Sequence, residues 1–176
     1  LAIFLEEIEV RRSTGELFEE ACFSKFVQAA NELGNVGNLD YQPARSDNED
    51  YIVDGWEIDG DYLYLAASMF AENKKTQYLS SEQFEKIING LELFVSRSTE
   101  KDFLQSLEET SPAYRIAREI FDNFKDIIRI KVVLLTNKIR EESINETDEI
   151  SLYGKPCTVN VFDNATVKAQ IIDSGI

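Results

Sequence analysis

No segment of this chain constrains its fold more than Ile127–Leu135, Ile-Ile-Arg-Ile-Lys-Val-Val-Leu-Leu. The run is rich in β-branched residues and apolar nearly throughout, the pattern of a strand covered on both faces. Such a strand requires a layer on either side of its sheet, and the rest of the chain supplies candidates for both. Leu17, Phe18, Ala21, Cys22, Phe26, Ala30 and Leu33 recur at helical spacing, a helix that Gly34 would stop. Before it, Ile3, Phe4, Ile8 and Val10 make a first helix of Ala2–Arg12, broken at Thr14-Gly15-Glu16.

After a turn at Asn35–Asn38, Leu39–Arg45 reads as a first strand, which Pro43 places at an edge or bulge. A linker, Glu72–Leu79, leads to a helix opened by Ser80-Ser81-Glu82. Its apolar face is Phe84, Ile87, Ile88, Leu91 and Val95, with Gly90 a weak point inside it. Phe103, Leu104 and Leu107 suggest a short helix. Ser111-Pro112 starts another as N-cap and first-position proline, with Ile116, Ala117, Ile120, Phe121 and Phe124 as its buried face. A polar loop, Asn137–Asp148, precedes a last strand at Thr158–Phe162 and a terminal helix capped by Asp163. The expected fold class is therefore α/β, with a central mixed sheet of about five strands flanked by helices.

The segment that bears on chemistry is Tyr51–Phe70. Ile52-Val53-Asp54-Gly55 is a short apolar run holding one acid, and Asp59-Gly60 gives the two-residue hairpin signal. The return strand, Tyr62–Phe70, carries neither a carboxylate nor a lysine. Alternation puts Tyr62, Tyr64, Ala66 and Ser68 on one face and Leu63, Leu65, Ala67 and Met69 on the other. Asp54 is a candidate metal ligand, against the plainer reading that it satisfies backbone near Gly55. Glu19 and Glu20 are weaker candidates for a second ligand, because solvent-facing Glu-Glu pairs are routine on helices. Asp59 and Asp61 flank a turn glycine, so turn chemistry explains them first. Trp56, Tyr62 and Tyr64 are better read as core than as an exposed aromatic patch. Arg115, Arg118, Lys125, Arg129 and Lys131 form the densest positive cluster, for which pairing to nearby acids is a sufficient account.

Composition removes whole classes of function. Histidine is absent from the 176 residues, which excludes Ser-His, Cys-His and His-metal chemistry. Cys22 and Cys157 lie far apart and read as small core residues, in keeping with a reduced, cytoplasmic setting. A net charge of −15 opposes binding to duplex DNA over most of the surface. No apolar run approaches the ~20 residues needed to span a bilayer, and no secretory signal is visible. The chain opens on Leu1 and stops at Ile176, and it is read as a single domain, 1–176, forming the N-terminal part of a longer protein.

The order of elements resembles the restriction-endonuclease-like fold, whose common core runs helix, three strands, helix, strand. Gly15-Glu16-Leu17-Phe18-Glu19-Glu20, ending at Leu33-Gly34, is similar to the first helix of that superfamily, which places a glutamate near the metal. Ile52-Val53-Asp54-Gly55 resembles the segment carrying its essential aspartate. A more specific resemblance is to the N-terminal domain of the abortive phage infection resistance (AIPR) family. It rests on Val53-Asp54-Gly55-Trp56, on Glu109-Thr110-Ser111-Pro112-Ala113-Tyr114 and on the later strand Val132-Val133-Leu134-Leu135-Thr136. The nuclease pattern implies Glu-x-Lys on the return strand, and counting from Asp54 lands instead on Ala66-Ala67-Ser68 or Ala67-Ser68-Met69. Lys74 and Lys75 lie beyond the strand and could only reach back. One carboxylate with distant help is a poor magnesium site.

The resemblance, with this departure, implies a non-catalytic nuclease-like domain of a bacterial phage-defence protein, acting in regulation or protein–protein interaction. Its partner would be another protein or its own C-terminal region, with no nucleic acid bound by the domain alone, no membrane and no cofactor. The residual pocket to inspect is Asp54, Tyr64, Ala66 and Ser68. The alternative is a divalent-metal nuclease with a rearranged site, in which Asp54 and Glu19 hold Mg²⁺ and Lys74 or Lys75 assists attack by water. A third reading, an acidic decoy for nucleic-acid-binding proteins, would need acids grouped at phosphate-like spacing.

Overall fold

The computed structural model describes residues 17–34, 36–48, 50–72 and 75–173. The helix expected over Ala2–Arg12, the break at Thr14-Gly15-Glu16 and Lys74 lie outside the described residues. A five-stranded mixed sheet forms the centre. Its members, in spatial order, are β3 (Gly55–Asp59), β4 (Tyr62–Met69), β6 (Arg129–Thr136), β9 (Lys155–Phe162) and β8 (Thr147–Leu152). β4, β6 and β9 run parallel, and the edge strands β3 and β8 are antiparallel to their neighbours. Two small ladders stand beside this sheet: β1 (Ala44–Arg45) with β2 (Ile52–Val53), and β5 (Tyr78–Leu79) with β7 (Ile139–Arg140).

β6 is the covered strand that its composition predicts. Val132 and Leu134 join the core on one face of the sheet with Leu63, Leu65 and Ala67. That side is roofed by α2 (Ser81–Ser98), α3 (Lys101–Ser106) and α4 (Pro112–Asn123) through Leu91, Phe94, Leu104, Ile116 and Ile120. Val133 and Leu135 join the opposite core with Tyr64 and Ala66, under Phe23, Phe26 and Ala30 of α1 (Phe18–Leu33) and Val167 of α5 (Asn164–Asp173).

Local chemistry sets the helix starts. Ser80 accepts from the Gln83 N–H while the Gln83 side chain accepts from the Ser80 N–H, a reciprocal cap at the head of α2. Ser111 caps α4, with Pro112 in the first helical position, where its missing N–H costs nothing. The Asp163 carboxylate accepts from the Thr166 N–H at 2.8 Å and so caps α5.

Several expectations need correction. Of Leu39–Arg45 only Ala44–Arg45 is strand, because Pro43 cannot donate and residues 38–43 run instead across β3, with Gln42 N–H donating to Asp54 O at 2.8 Å. The hairpin loop is Gly60-Asp61 rather than Asp59-Gly60, since Asp59 pairs with Tyr62 and Gly60 takes the left-handed φ of 60°. The loop expected at Asn137–Asp148 holds β7, and β8 begins at Thr147. The acids of that edge strand disguise its alternation. Leu33 and Phe121, counted as core, are exposed. Gly90 is buried rather than weak: a Cβ there would lie 3.2 Å from Asp50 O, so glycine lets the β1–β2 hairpin pack against α2.

Candidate functional site

Asp54 occupies the single residue between β2 and β3 and is wholly buried. Both of its backbone groups are bonded. Its N–H donates to Ala66 O, and its carbonyl accepts from Gln42 N–H, each at 2.8 Å. The carboxylate is equally committed. Oδ1 accepts from Arg45 Nε at 3.1 Å and Nη2 at 2.8 Å. Oδ2 accepts from the Ser68 N–H at 2.8 Å and the Ser68 hydroxyl at 2.9 Å. A carboxylate has about four acceptor positions, and here four donors fill them.

The scaffold holds this cluster in place from three sides. Gly55 brings the chain against α1, where a Cβ would lie 2.6 Å from Phe23 Cζ and 2.9 Å from Asp40 O, so no larger residue fits after Asp54. Arg45 stands on β1, its backbone paired with Ile52. The turn joining β1 and β2 is closed by Ser46 Oγ, which accepts from the Asp50 N–H at 2.7 Å. The Tyr51 ring then anchors that hairpin at 5.0 Å from Phe94 and 6.0 Å from Phe103.

The electrostatics follow the contacts. Burial by itself would lower the Arg45 pKa, yet the charge of Asp54 and its hydrogen bonds hold it above the ordinary arginine value. Tyr41 packs on Phe23 at 5.3 Å, and its pKa is raised first by burial and then by the Asp54 charge. Glu19, exposed on the first turn of α1, contributes to the fields at both Tyr41 and Arg45.

Asp54 and Ser68 are joined directly. Ala66 is buried beneath them and contributes only backbone, pairing with Gly55. Tyr64 is buried further along the same face, where its hydroxyl accepts from Lys131 Nζ at 3.4 Å. Lys131 also lies 4.9 Å from the Tyr62 ring, and Trp56 packs half-buried against the larger core. Within the basic cluster, Arg118 pairs with Asp122 and Arg129 with Glu149, both at 2.9 Å. A cavity of about 530 Å³ lies between α3 and α4, lined by Leu104, Leu107, Tyr114 and Phe121 among others, and includes none of the residues around Asp54.

A divalent ion does not fit this donor set. Placing one on Asp54 would require displacing Arg45 or Ser68, and among the described residues no second carboxylate is hydrogen-bonded into the cluster. No group of three or more acids or cysteines is arranged to hold a metal among the described residues. Arg45 is the residue that sequence reading passed over. Nothing in the sequence announces it: only the pairing of Ala44–Arg45 with Ile52–Val53, past Pro43, brings the guanidinium beside Asp54.

The model of one protein family, the abortive infection phage resistance protein N-terminal domain, matches residues 18–167. That span runs from the start of α1 into α5 and includes Arg45, Asp54 and Ser68. This chain belongs to that family. No curated protein and no solved structure matches it. The AIPR assignment made from Val53-Asp54-Gly55-Trp56 and Ser111-Pro112 thus holds, and it identifies the chain with phage-resistance, abortive-infection proteins. Among the described residues no helix is long and apolar enough to cross a membrane.

Proposed function

We propose that this AIPR domain is a non-catalytic, nuclease-like module of a bacterial phage-defence protein, acting in the cytoplasm through regulation or protein–protein contact. One observation carries the reading: Asp54, which the resemblance sets at the place of a nuclease's essential aspartate, is buried and fully bonded by Arg45 and Ser68. A hydrolytic site needs a cation that polarises phosphate and lowers the pKa of an attacking water, held on open coordination positions. Asp54 offers none. The strand opposite it places Ala66 and Ala67 where a second acid would stand, and the net charge of −15 works against phosphate approach. The partner on this reading is another protein or the chain's own C-terminal region.

A paired assay tests this. The domain is incubated with duplex and single-stranded DNA and RNA in millimolar Mg²⁺ or Mn²⁺, and the full-length protein is scored for phage protection in cells. The expected outcome is no cleavage that depends on Asp54, with protection retained in a folded Asp54→Asn variant and reduced when the domain is removed. Cleavage by wild type that Asp54→Asn abolishes would establish the rearranged nuclease instead.

A further inference from the structure

We propose that the Arg45 guanidinium is a tethered counter-cation, standing where a divalent ion would otherwise neutralise Asp54. The inference rests on the non-catalytic reading above and assigns a residue to the loss. A buried carboxylate is tolerated only with a cation or a full set of donors. In a metal site that cation is exchangeable. Here it is covalently part of the chain, delivered by a hairpin seated on α2 and α3.

The geometry supports replacement rather than incidental pairing. Two guanidinium nitrogens converge on Oδ1 at 3.1 and 2.8 Å, the side of the carboxylate that Ser68 leaves open. Arg45 is the only cation within hydrogen-bond reach of Asp54 among the described residues, and its side chain is 40 % exposed, so the charge enters from solvent as an ion would. The hairpin bearing it is not a loose flap. Tyr51 is buried against Phe94 and Phe103, and Gly90 admits the backbone of residues 50–52 onto α2. Removing the guanidinium would leave Asp54 Oδ1 with no cation in hydrogen-bond reach among the described residues, in the negative field of Glu19 that Arg45 now feels. A buried carboxylate left uncompensated in this way draws a cation from solvent, weakly, because one carboxylate alone is a poor divalent site.

Thermal unfolding of wild type, Arg45→Ala, Arg45→Lys, Asp54→Asn and the Arg45→Ala/Asp54→Asn double variant, each with and without millimolar Mn²⁺, separates the outcomes. Wild type should not respond to Mn²⁺. Arg45→Ala should melt several degrees lower and recover part of that loss in Mn²⁺, while Arg45→Lys should melt between the two. The double variant should melt above Arg45→Ala and show no Mn²⁺ response. An Arg45→Ala variant as stable as wild type, or a folded one whose loss Mn²⁺ does not recover, overturns the proposal. If Arg45→Ala does not fold, the proposal stands or falls on whether the double variant folds. A saturable Mn²⁺ shift in wild type that Asp54→Asn removes would sink the non-catalytic reading as well, a result distinct from failed coupling in a metal-silent wild type.

Discussion

Asp54 acquires its character from two side chains that a linear reading separates from it. Buried ion pairs are costly to assemble, but breaking one by deleting a single partner is costlier still, about 3–5 kcal/mol when the remaining charge has nowhere to go. Ser68 shares that burden through both its hydroxyl and its backbone N–H. Ser68→Ala keeps the N–H bond and loses the hydroxyl one, so urea unfolding should show a loss of about 1.5–3 kcal/mol, the range for a bond to a charged acceptor. The midpoint should move while the slope with urea stays fixed. Asp54 and Ser68 were both legible in the sequence, as the acid in an apolar run and as the polar residue on the opposing face. Their bond was not, because hairpin register depends on a turn placed one residue from its sequence signal, at Gly60-Asp61. Arg45 was not legible as a partner at all. Its role depends on a two-residue ladder, too short to announce itself by alternation.

At the scale of elements, the long helices and the covered strand were plain because many residues repeat one period. α1, α2 and α4 and the strand β6 all fell where apolar spacing and caps put them. What failed were pieces whose existence depends on neighbours: the small ladders, and β8, an acidic edge strand that reads as loop. The Asp54-Gly55 step shows the same dependence. Gly55 is required by the Phe23 ring of α1 and by Asp40 O, not by a left-handed backbone. Gly55→Ala should therefore push α1 away from the sheet and cost about 1–3 kcal/mol, the usual penalty for overpacking. Amide hydrogen exchange should show the loss of protection concentrated in α1 and at the N-terminal end of β3. An alanine variant as stable as wild type would remove close packing as the reason for glycine here.

For the whole molecule, the two cores on either side of one sheet set the behaviour at alkaline pH. Cys157 lies in the larger core and Cys22 in a small cluster with Ala21 on α1, and desolvation pushes each thiol from 9.0 up to about 12. Burial likewise raises Tyr41 and Tyr51 above 10.0. In every case the native state holds a proton that the unfolded chain gives up, so stability falls as pH rises. The contribution of these groups should be level below pH 9 and decline steadily toward about pH 12. At pH 8, below that interval, thiol labelling should be slow in the native protein and fast only after unfolding. Cys22→Ala/Cys157→Ala should flatten the decline, which chemical denaturation across that range would read directly.

The central claim is that the AIPR domain neutralises Asp54 from within, by Arg45, and leaves no position for a metal. Crystals grown in millimolar Mn²⁺ test it most directly, through the anomalous difference density around Asp54. The expected result is Arg45 bonded to Asp54 Oδ1, with no anomalous peak at the carboxylate. A peak at coordination distance, about 2.0–2.2 Å from Oδ1 or Oδ2, with Arg45 swung aside, would contradict it.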